Sequence, residues 1–210
     1  MQWFYNQKIA VKLIIGFVLL AIITGAVGAV GFAGIRQIKS SLDNISLERF
    51  PAVQALLTIG EAQTAVKAAE RTILSQPTDK DTYTKETGNI KNAYQKADEA
   101  FAIFEAIEQS DEEKALWNEF LEAWRKWESD QNDFVNIASQ IYANGVGDES
   151  INSIIEKMEY QSLSVTSTSF KTVQTLIDKI IEDNQQEAED AKIAADRVNR
   201  SVTVTLIITI

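Results

Sequence analysis

The stretch SDEEKALWNEFLEAWRKWESDQNDFVNIASQI, residues 110–141, decides the fold class. It contains no proline or glycine, and its large apolar residues recur at steps of three, four and seven, the repeat of one buried helix face. Ser110, followed three residues later by Glu113, is the pattern of a helix capping box. We therefore predict one amphipathic helix whose buried seam consists of Trp117, Phe120, Trp124, Trp127, Phe134, Ala138 and Ile141.

The same repeat predicts three more helices. The first runs from the start of the chain to a turn around Pro77 and is interrupted near Pro51. The second spans about 80–109, with Thr78 or Asp79 as its N-cap. The last follows a turn at 144–147 and continues without a helix breaker. Short turns make neighbouring helices antiparallel, so we predict an all-α, up-down-up-down four-helix bundle whose long outer helices continue into transmembrane helices.

Composition excludes several classes of function. The chain has no cysteine and no histidine, which removes thiol chemistry, disulfides, imidazole base catalysis and the commonest metal ligands. No nucleophile–base pair, phosphate-binding loop or metal cluster stands out, so we predict no enzyme activity, no cofactor and no metal. The net charge of −10 disfavours nucleic acid as a partner.

Two uncharged apolar segments predict membrane anchoring. Residues 13–35 exceed the roughly 20 residues that span a bilayer, whereas a cleaved signal peptide has a shorter apolar core. Residues 201–210 are expected to begin a second, truncated transmembrane helix. The first segment holds five glycines, which either pack a neighbouring helix closely or reflect ordinary glycine enrichment in membrane helices; they are Gly16, Gly25, Gly28, Gly31 and Gly34.

Flanking charges predict the orientation. Residues 1–12 carry Lys8 and Lys12 and no acid, and short basic flanks stay in the cytoplasm. Residues 36–200 would then form an extracytoplasmic domain, anchored to the cytoplasmic (inner) membrane.

The opening of the chain resembles the start of bacterial methyl-accepting chemotaxis proteins, through Trp3-Phe4, Lys8-Ile9, Lys12-Leu13 and Gly16-Phe17. The stretch Glu48-Arg-Phe-Pro-Ala-Val53, before a helix with Glu70-Arg71, is similar to the same family. With two membrane segments, the whole chain resembles the four-helix-bundle sensory module of chemoreceptors.

This resemblance implies a homodimer that binds a ligand between its first and fourth helices, at the end far from the membrane. Binding would shift the fourth helix along its axis, and the second membrane helix would pass the shift to a cytoplasmic signalling domain. The stimulus would be a small organic acid, an amino acid or an amine, or else a periplasmic binding protein or the membrane. The alternative is the same module on a membrane-bound histidine kinase or cyclic-dinucleotide cyclase.

Family members with an amino-acid pocket use arginines of the first helix for the ligand carboxylates and polar residues of the fourth helix for the amine. An arginine suits a carboxylate because its planar fork can bind both oxygens. The alternative is a solvated Arg71 paired with Glu70 or with a neighbour of Lys67. The positions that match the pocket are Lys67, Arg71, Tyr160, Gln161, Thr166 and Thr168.

Three other clusters invite a functional interpretation. We expect the tryptophans of residues 110–141 to fill the core rather than to form an aromatic cage. We expect the acidic runs 111–113 and 187–190 to be solvated helix faces rather than calcium sites. The hydroxyl-rich run 162–169 either lines a polar pocket or allows close packing at a dimer interface.

Overall fold

The computed structural model describes residues 7–143 and 147–209, except for the side chains of Leu206, Ile208 and Thr209. Two π-helical turns, Asn44–Arg49 and Gln161–Thr166, interrupt the first and last helices, and a 3₁₀ turn, Gln140–Tyr142, ends the third. The predicted motif at Trp3-Phe4 and residues 144–146 of the predicted turn lie outside the described residues. The α-helices are α1 (Ile9–Asp43), α2 (Phe50–Ser75), α3 (Lys80–Glu105), α4 (Asp111–Ser139), α5 (Asp148–Tyr160) and α6 (Ser167–Thr209).

Helix starts follow local chemistry. Asp79, not Thr78, caps α3: its carboxylate accepts the backbone N–H groups of Asp81 and Thr82 at 3.0 and 3.3 Å. Pro51 lies in the first turn of α2, and the π-helical turn that directly precedes this helix forms the predicted interruption.

Helix α3 ends at Glu105, earlier than the predicted residue 109. The amide of Gln109 folds back and donates to the carbonyl of Phe104 at 3.2 Å. The backbone N–H of Ile107 donates to the same carbonyl at 3.2 Å, so two donors close the end of the helix. The chain therefore leaves the helix a turn before the next cap.

Only half of the predicted capping box forms at the start of α4. The Ser110 hydroxyl accepts the backbone N–H of Glu113 at 3.0 Å, as expected. The expectation that the Glu113 side chain reaches back is wrong, because this side chain is buried in the bundle and binds other partners there.

The described chain forms two compact units. One comprises Glu48–Glu187, and the other comprises the residues up to Leu47 and those from Ala188 onward. The predicted domain limits, 13–35 for the first span and 36–200 for the body, stay predictions.

The Glu48–Glu187 unit is an all-α bundle of four antiparallel helices: α2, α3, α4, and the fourth helix formed by α5, the π-helical turn and α6. The direction of each helix follows from its contacts. Contacts advance together along α2 and α4, from Arg49 with Glu113 to Glu70 with Gln131, so these two helices are parallel. The fourth helix runs the opposite way, because Asn184 contacts Arg49 while Ser162 contacts Glu70. The predicted all-α four-helix bundle is confirmed, whereas the continuation of its outer helices into transmembrane helices stays a prediction.

The core between α3 and α4 is aromatic. All seven residues of the predicted buried face are buried, six of them in α4 and Ile141 in the 3₁₀ turn that follows it. We call this core the aromatic seam. Phe104 packs on Trp117 with ring centroids 4.5 Å apart, and Phe101 meets Trp124 edge-on at 5.1 Å. The expectation that the tryptophans fill the core is therefore confirmed. The seam consists of Tyr94, Phe101, Phe104, Trp117, Phe120, Trp124 and Trp127.

The second unit pairs α1 with the end of α6. Gly34 is buried there, and a side chain at this position would collide with Val202. At the other four glycines of the first apolar segment, no described heavy atom lies within 4 Å of the place that a methyl side chain would occupy, so among the described residues only Gly34 of these five packs closely on another helix. Among the described residues, the helical segment Ile9–Ser75 is long and apolar enough to cross a membrane.

Candidate functional site: two buried polar clusters

A buried carboxylate at the centre of the bundle organises the first cluster. Glu70 has no exposed surface, and its carboxylate accepts a hydrogen bond from Lys67 Nζ at 2.7 Å. The Gln131 amide and the Ser162 hydroxyl also donate to it, and Thr166 Oγ1 lies 3.1 Å away. We call these five residues the Glu70 cluster. It joins α2 and α4 to the fourth helix through one charged group.

The cation of this cluster is also fully bonded. Besides Glu70, the Lys67 ammonium donates to the carbonyl of Ser162 at 3.1 Å and to Thr166 Oγ1 at 3.2 Å. An ammonium group has three donors, so all of them are used. Because each buried charge has a close partner, the cluster avoids the several kcal/mol that an uncompensated ion costs in the interior.

The π-helical turn Gln161–Thr166 places the two hydroxyls of the cluster. Buried residues of the fourth helix recur every four positions from Ile154 through Met158 and Ser162 to Thr166, wider than the 3.6 residues of an α-helical turn. A π-helical turn holds more residues per turn and keeps these side chains on one face. The fourth helix therefore continues without a breaker, as predicted, and this turn is a local π-helical distortion within it.

A second cluster lies around Arg49, within the same unit. Its Nη1 atom is 2.7 Å from Glu187 Oε2 and 3.3 Å from both Glu113 Oε2 and Asn184 Oδ1. The Asn184 amide in turn donates to Glu113 Oε1 at 2.6 Å. We call these four residues the Arg49 cluster.

The Arg49 cluster corrects the prediction for the acidic runs. Asp111 and Glu112 are exposed as expected, but Glu113 is buried and Glu187 pairs with the arginine. Sequence reasoning missed this, because Arg49 is 64 residues away from Glu113 along the chain. Both acids pair with a cation that only the tertiary fold brings to them, although Glu187 itself stays partly exposed.

Both clusters join the same three helices. The polar contacts run between α2, α4 and the fourth helix, and Gln63 of α2 adds a bond from its amide to the carbonyl of Phe170, at 2.9 Å. Helix α3 contributes no residue to either cluster and contacts α4 through the aromatic seam. Displacement of the fourth helix would therefore be resisted by directional hydrogen bonds at two levels of the bundle.

The structure brings only some of the six predicted ligand residues together. Lys67 and Thr166 meet in the Glu70 cluster, where both are buried and bonded to protein groups. Gln161 binds the carbonyl of Asp130 at 2.9 Å through its amide. Glu70 pairs with Lys67 rather than with Arg71, so the alternative pairing of Arg71 with Glu70 is not formed.

The remaining predicted residues lie on the surface. Arg71 is exposed, and Thr168 is exposed with its hydroxyl bound to the carbonyl of Ser164 at 2.7 Å. Tyr160 is 67% exposed. Together with Gln161, it lines an open groove of 360 Å³ between α5 and the C-terminal end of α4. The predicted six therefore do not form one pocket.

Two larger grooves flank α2. One, of 490 Å³, lies between α2 and α6 and is lined by Leu57, Gly60 and Gln174, among others. The other, of 830 Å³, lies between α2 and α3. None of the six predicted ligand residues lines either groove.

Burial shapes the titration of Tyr94, which sits where the aromatic seam approaches the Glu70 cluster. Desolvation raises the pKa of this phenol well above its ordinary value, and the carboxylates of Glu128 and Glu70 raise it further. Among the described atoms, the Tyr94 hydroxyl and the Trp127 indole N–H are both buried without a hydrogen-bond partner.

The sequence contains a weak signal for the buried polar residues that were not predicted as part of a site. Gln63 and Glu70 lie seven residues apart at positions that the apolar repeat of α2 assigns to the core, between Ile59 and Ile73. A polar residue in such a position predicts a buried partner. Which partner it finds, here Gln131 and Ser162 from two other helices, has no signal in the local pattern.

A family model described as a four helix bundle sensory module for signal transduction matches residues 6–198. Neither a curated protein nor a solved structure matches the chain.

Proposed function

The chain belongs to the family of four-helix-bundle sensory modules of methyl-accepting chemotaxis proteins, and on this premise we propose that it is the ligand-sensing input domain of a transmembrane chemoreceptor. Family membership makes it a signal-transduction module. Ligand sensing, transmission across the membrane and the absence of catalysis are parts of the proposal.

The observation that best supports the proposal is the pair of polar clusters on the fourth helix. The Glu70 and Arg49 clusters bind this helix to α2 and α4 through bonds that need a defined register. Packed interfaces of this kind change between discrete arrangements rather than deform continuously. The fourth helix is therefore the element that we propose to move on stimulation.

We propose that the module works as a homodimer in the cytoplasmic membrane, with the Glu48–Glu187 unit on the extracytoplasmic side. The exposed apolar surface of α1 supports this placement, with Phe17 and Ile14 more than half exposed. The stimulus that we propose is a small organic acid, amino acid or amine, or a periplasmic binding protein. Of the predicted ligand residues, Arg71, Tyr160 and Thr168 are the accessible ones.

The test uses cysteine pairs, which the chain permits because it has no cysteine of its own. The chain is fused to the cytoplasmic part of a chemoreceptor, and Ile38→Cys is combined in turn with Ala194→Cys or Val198→Cys. If a small displacement of the fourth helix carries the signal, the two disulfides lock the receptor in opposite output states, measured as kinase activity. Single-cysteine variants and reduction with dithiothreitol are the controls. Identical output from both disulfides contradicts the proposal.

A further inference from the structure

The 830 Å³ groove between α2 and α3 has a floor of small side chains. Alanines of both helices form it, and because each contributes only a methyl group, a trough stays open between the polar walls. The groove extends along α2 from Thr58 to Thr72, about 20 Å at 1.5 Å per residue. The alanines of the floor are Ala62, Ala65, Ala68, Ala69 and Ala93.

Carboxylates stand at both ends of this trough. Because α2 and α3 are antiparallel, Glu86 lies at the end marked by Thr72, while Glu61 and Glu99 lie at the end marked by Thr58. Glu86 and Glu99 belong to the same helix and are separated by about 20 Å along its axis. The groove therefore carries carboxylates at two distant points, and the one cation among its lining residues, Lys96, lies close to the end with Glu61 and Glu99.

Glu86 is buried yet only weakly compensated. The residue is 8% exposed and its carboxylate accepts a hydrogen bond from the Asn89 amide at 2.8 Å. The one cation within 4 Å of it, among the described residues, is Lys85 at 3.8 Å, whose side chain is 75% exposed. Glu70, by contrast, has a buried ammonium at 2.7 Å. A carboxylate withdrawn from water without a close cation favours the arrival of one.

The opposite end and the middle of the groove fit the same chemistry. Lys96 lines the groove near Glu61 and Glu99, and no ion pair within 4 Å joins it to either of them in the part of the chain that the structure describes. This end therefore keeps a net negative charge. The walls between the ends carry the amides of Asn89, Asn92 and Gln95, which can accept hydrogen bonds from an amine.

We propose that this groove binds a linear polyamine, with one terminal ammonium at Glu86, the other at Glu61 and Glu99, and the methylene chain over the alanine floor. A compact inorganic cation could neutralise one end but could not reach both. The inference rests on the proposed sensory function and names a ligand class for it, at a place that none of the six predicted ligand residues occupies.

The experiment is calorimetric titration of the full chain in nanodiscs of phosphatidylcholine, a lipid without net charge. Spermine, spermidine and putrescine are compared because their ammonium groups are separated by decreasing lengths. We expect affinity to fall in that order, by about tenfold or more from spermine to putrescine. Glu86→Gln should lower the affinity for spermine by about tenfold. The affinity for putrescine should stay nearly unchanged, because this short amine can bind at the other end of the groove.

Glu122→Gln is the matched control, because Glu122 is an exposed acid of α4 outside the groove. Equal affinity for the three amines, equal weakening by both variants, or no binding at all overturns the proposal. Thermal unfolding of each variant verifies that the bundle is intact. The disulfide test of signalling needs no ligand. If the polyamine titration fails, the proposed sensory function still stands, and if the disulfide test fails, the binding result can still be interpreted.

Discussion

Helix α4 is held in two different ways by its neighbours. Toward α3 it presents the aromatic seam, in which rings such as Phe101 and Trp124 meet edge-on over a broad area. Toward α2 and the fourth helix it presents Glu113 and Gln131, which belong to the Arg49 and Glu70 clusters. Ring packing depends mainly on buried area, whereas each hydrogen bond needs one partner at one distance. The first therefore supplies stability and the second defines register.

Removing the largest ring tests the aromatic side of this comparison. Trp127→Ala should lower the free energy of unfolding by about 3–5 kcal/mol, because this fully buried side chain would leave a cavity. Urea titration followed by circular dichroism measures the loss. Trp127→Phe should cost clearly less, since it keeps an aromatic ring and the indole N–H has no hydrogen-bond partner among the described atoms. Ile103→Ala on exposed α3 surface is the control, with an expected effect within about 0.5 kcal/mol.

In the Glu70 cluster, one substitution should lower the free energy of unfolding more than a matched pair of substitutions does. Glu70→Gln leaves the Lys67 ammonium buried without an anion and should cost about 3 kcal/mol. Lys67→Met combined with Glu70→Gln should recover most of that loss, because the uncompensated charge is gone. The same urea titration compares the unchanged protein, Glu70→Gln, Lys67→Met and the double variant. Strict additivity of the two substitutions would show that the pair does not act as a unit.

Tyr94, which lies where the two regions meet, gives the smallest effect. The raised pKa keeps the folded phenol protonated above pH 10, where the unfolded chain loses its proton, so stability is unaffected below pH 10 and falls as the pH rises beyond it. Tyr94→Phe should be nearly neutral at pH 7, since the hydroxyl has no described partner, and should flatten the decline above pH 10. Unfolding free energies at pH 7 and pH 10.5 measure this. If Tyr94→Phe leaves the decline of the unfolding free energy above pH 10 unchanged, Tyr94 does not cause that decline. Tyr83 and Tyr142, whose pKa values burial also raises, would then be its source.

The aromatic seam was largely predictable from the sequence, and the polar clusters were not. The buried positions of α4 repeat within one helix, so Trp117 to Ile141 identify themselves without reference to any other part of the chain. The local pattern predicted only a capping role for Glu113, because its partner Arg49 lies in another helical segment, far away along the chain. The hydroxyl run 162–169 suggested a polar pocket or a close interface, whereas Ser162 and Thr166 bind Glu70 within the core.

By itself, the sequence determined the four helices, the cap at Ser110 and the antiparallel four-helix bundle, because periodicity and capping act between residues a few positions apart. The tertiary structure alone decided which buried charges meet, where the π-helical turn of the fourth helix falls, and which groove stays open beside α2. Those features depend on groups brought together from separate helices. A pattern along one helix states that a polar residue is buried, and only the packed bundle supplies the atom that makes its burial tolerable.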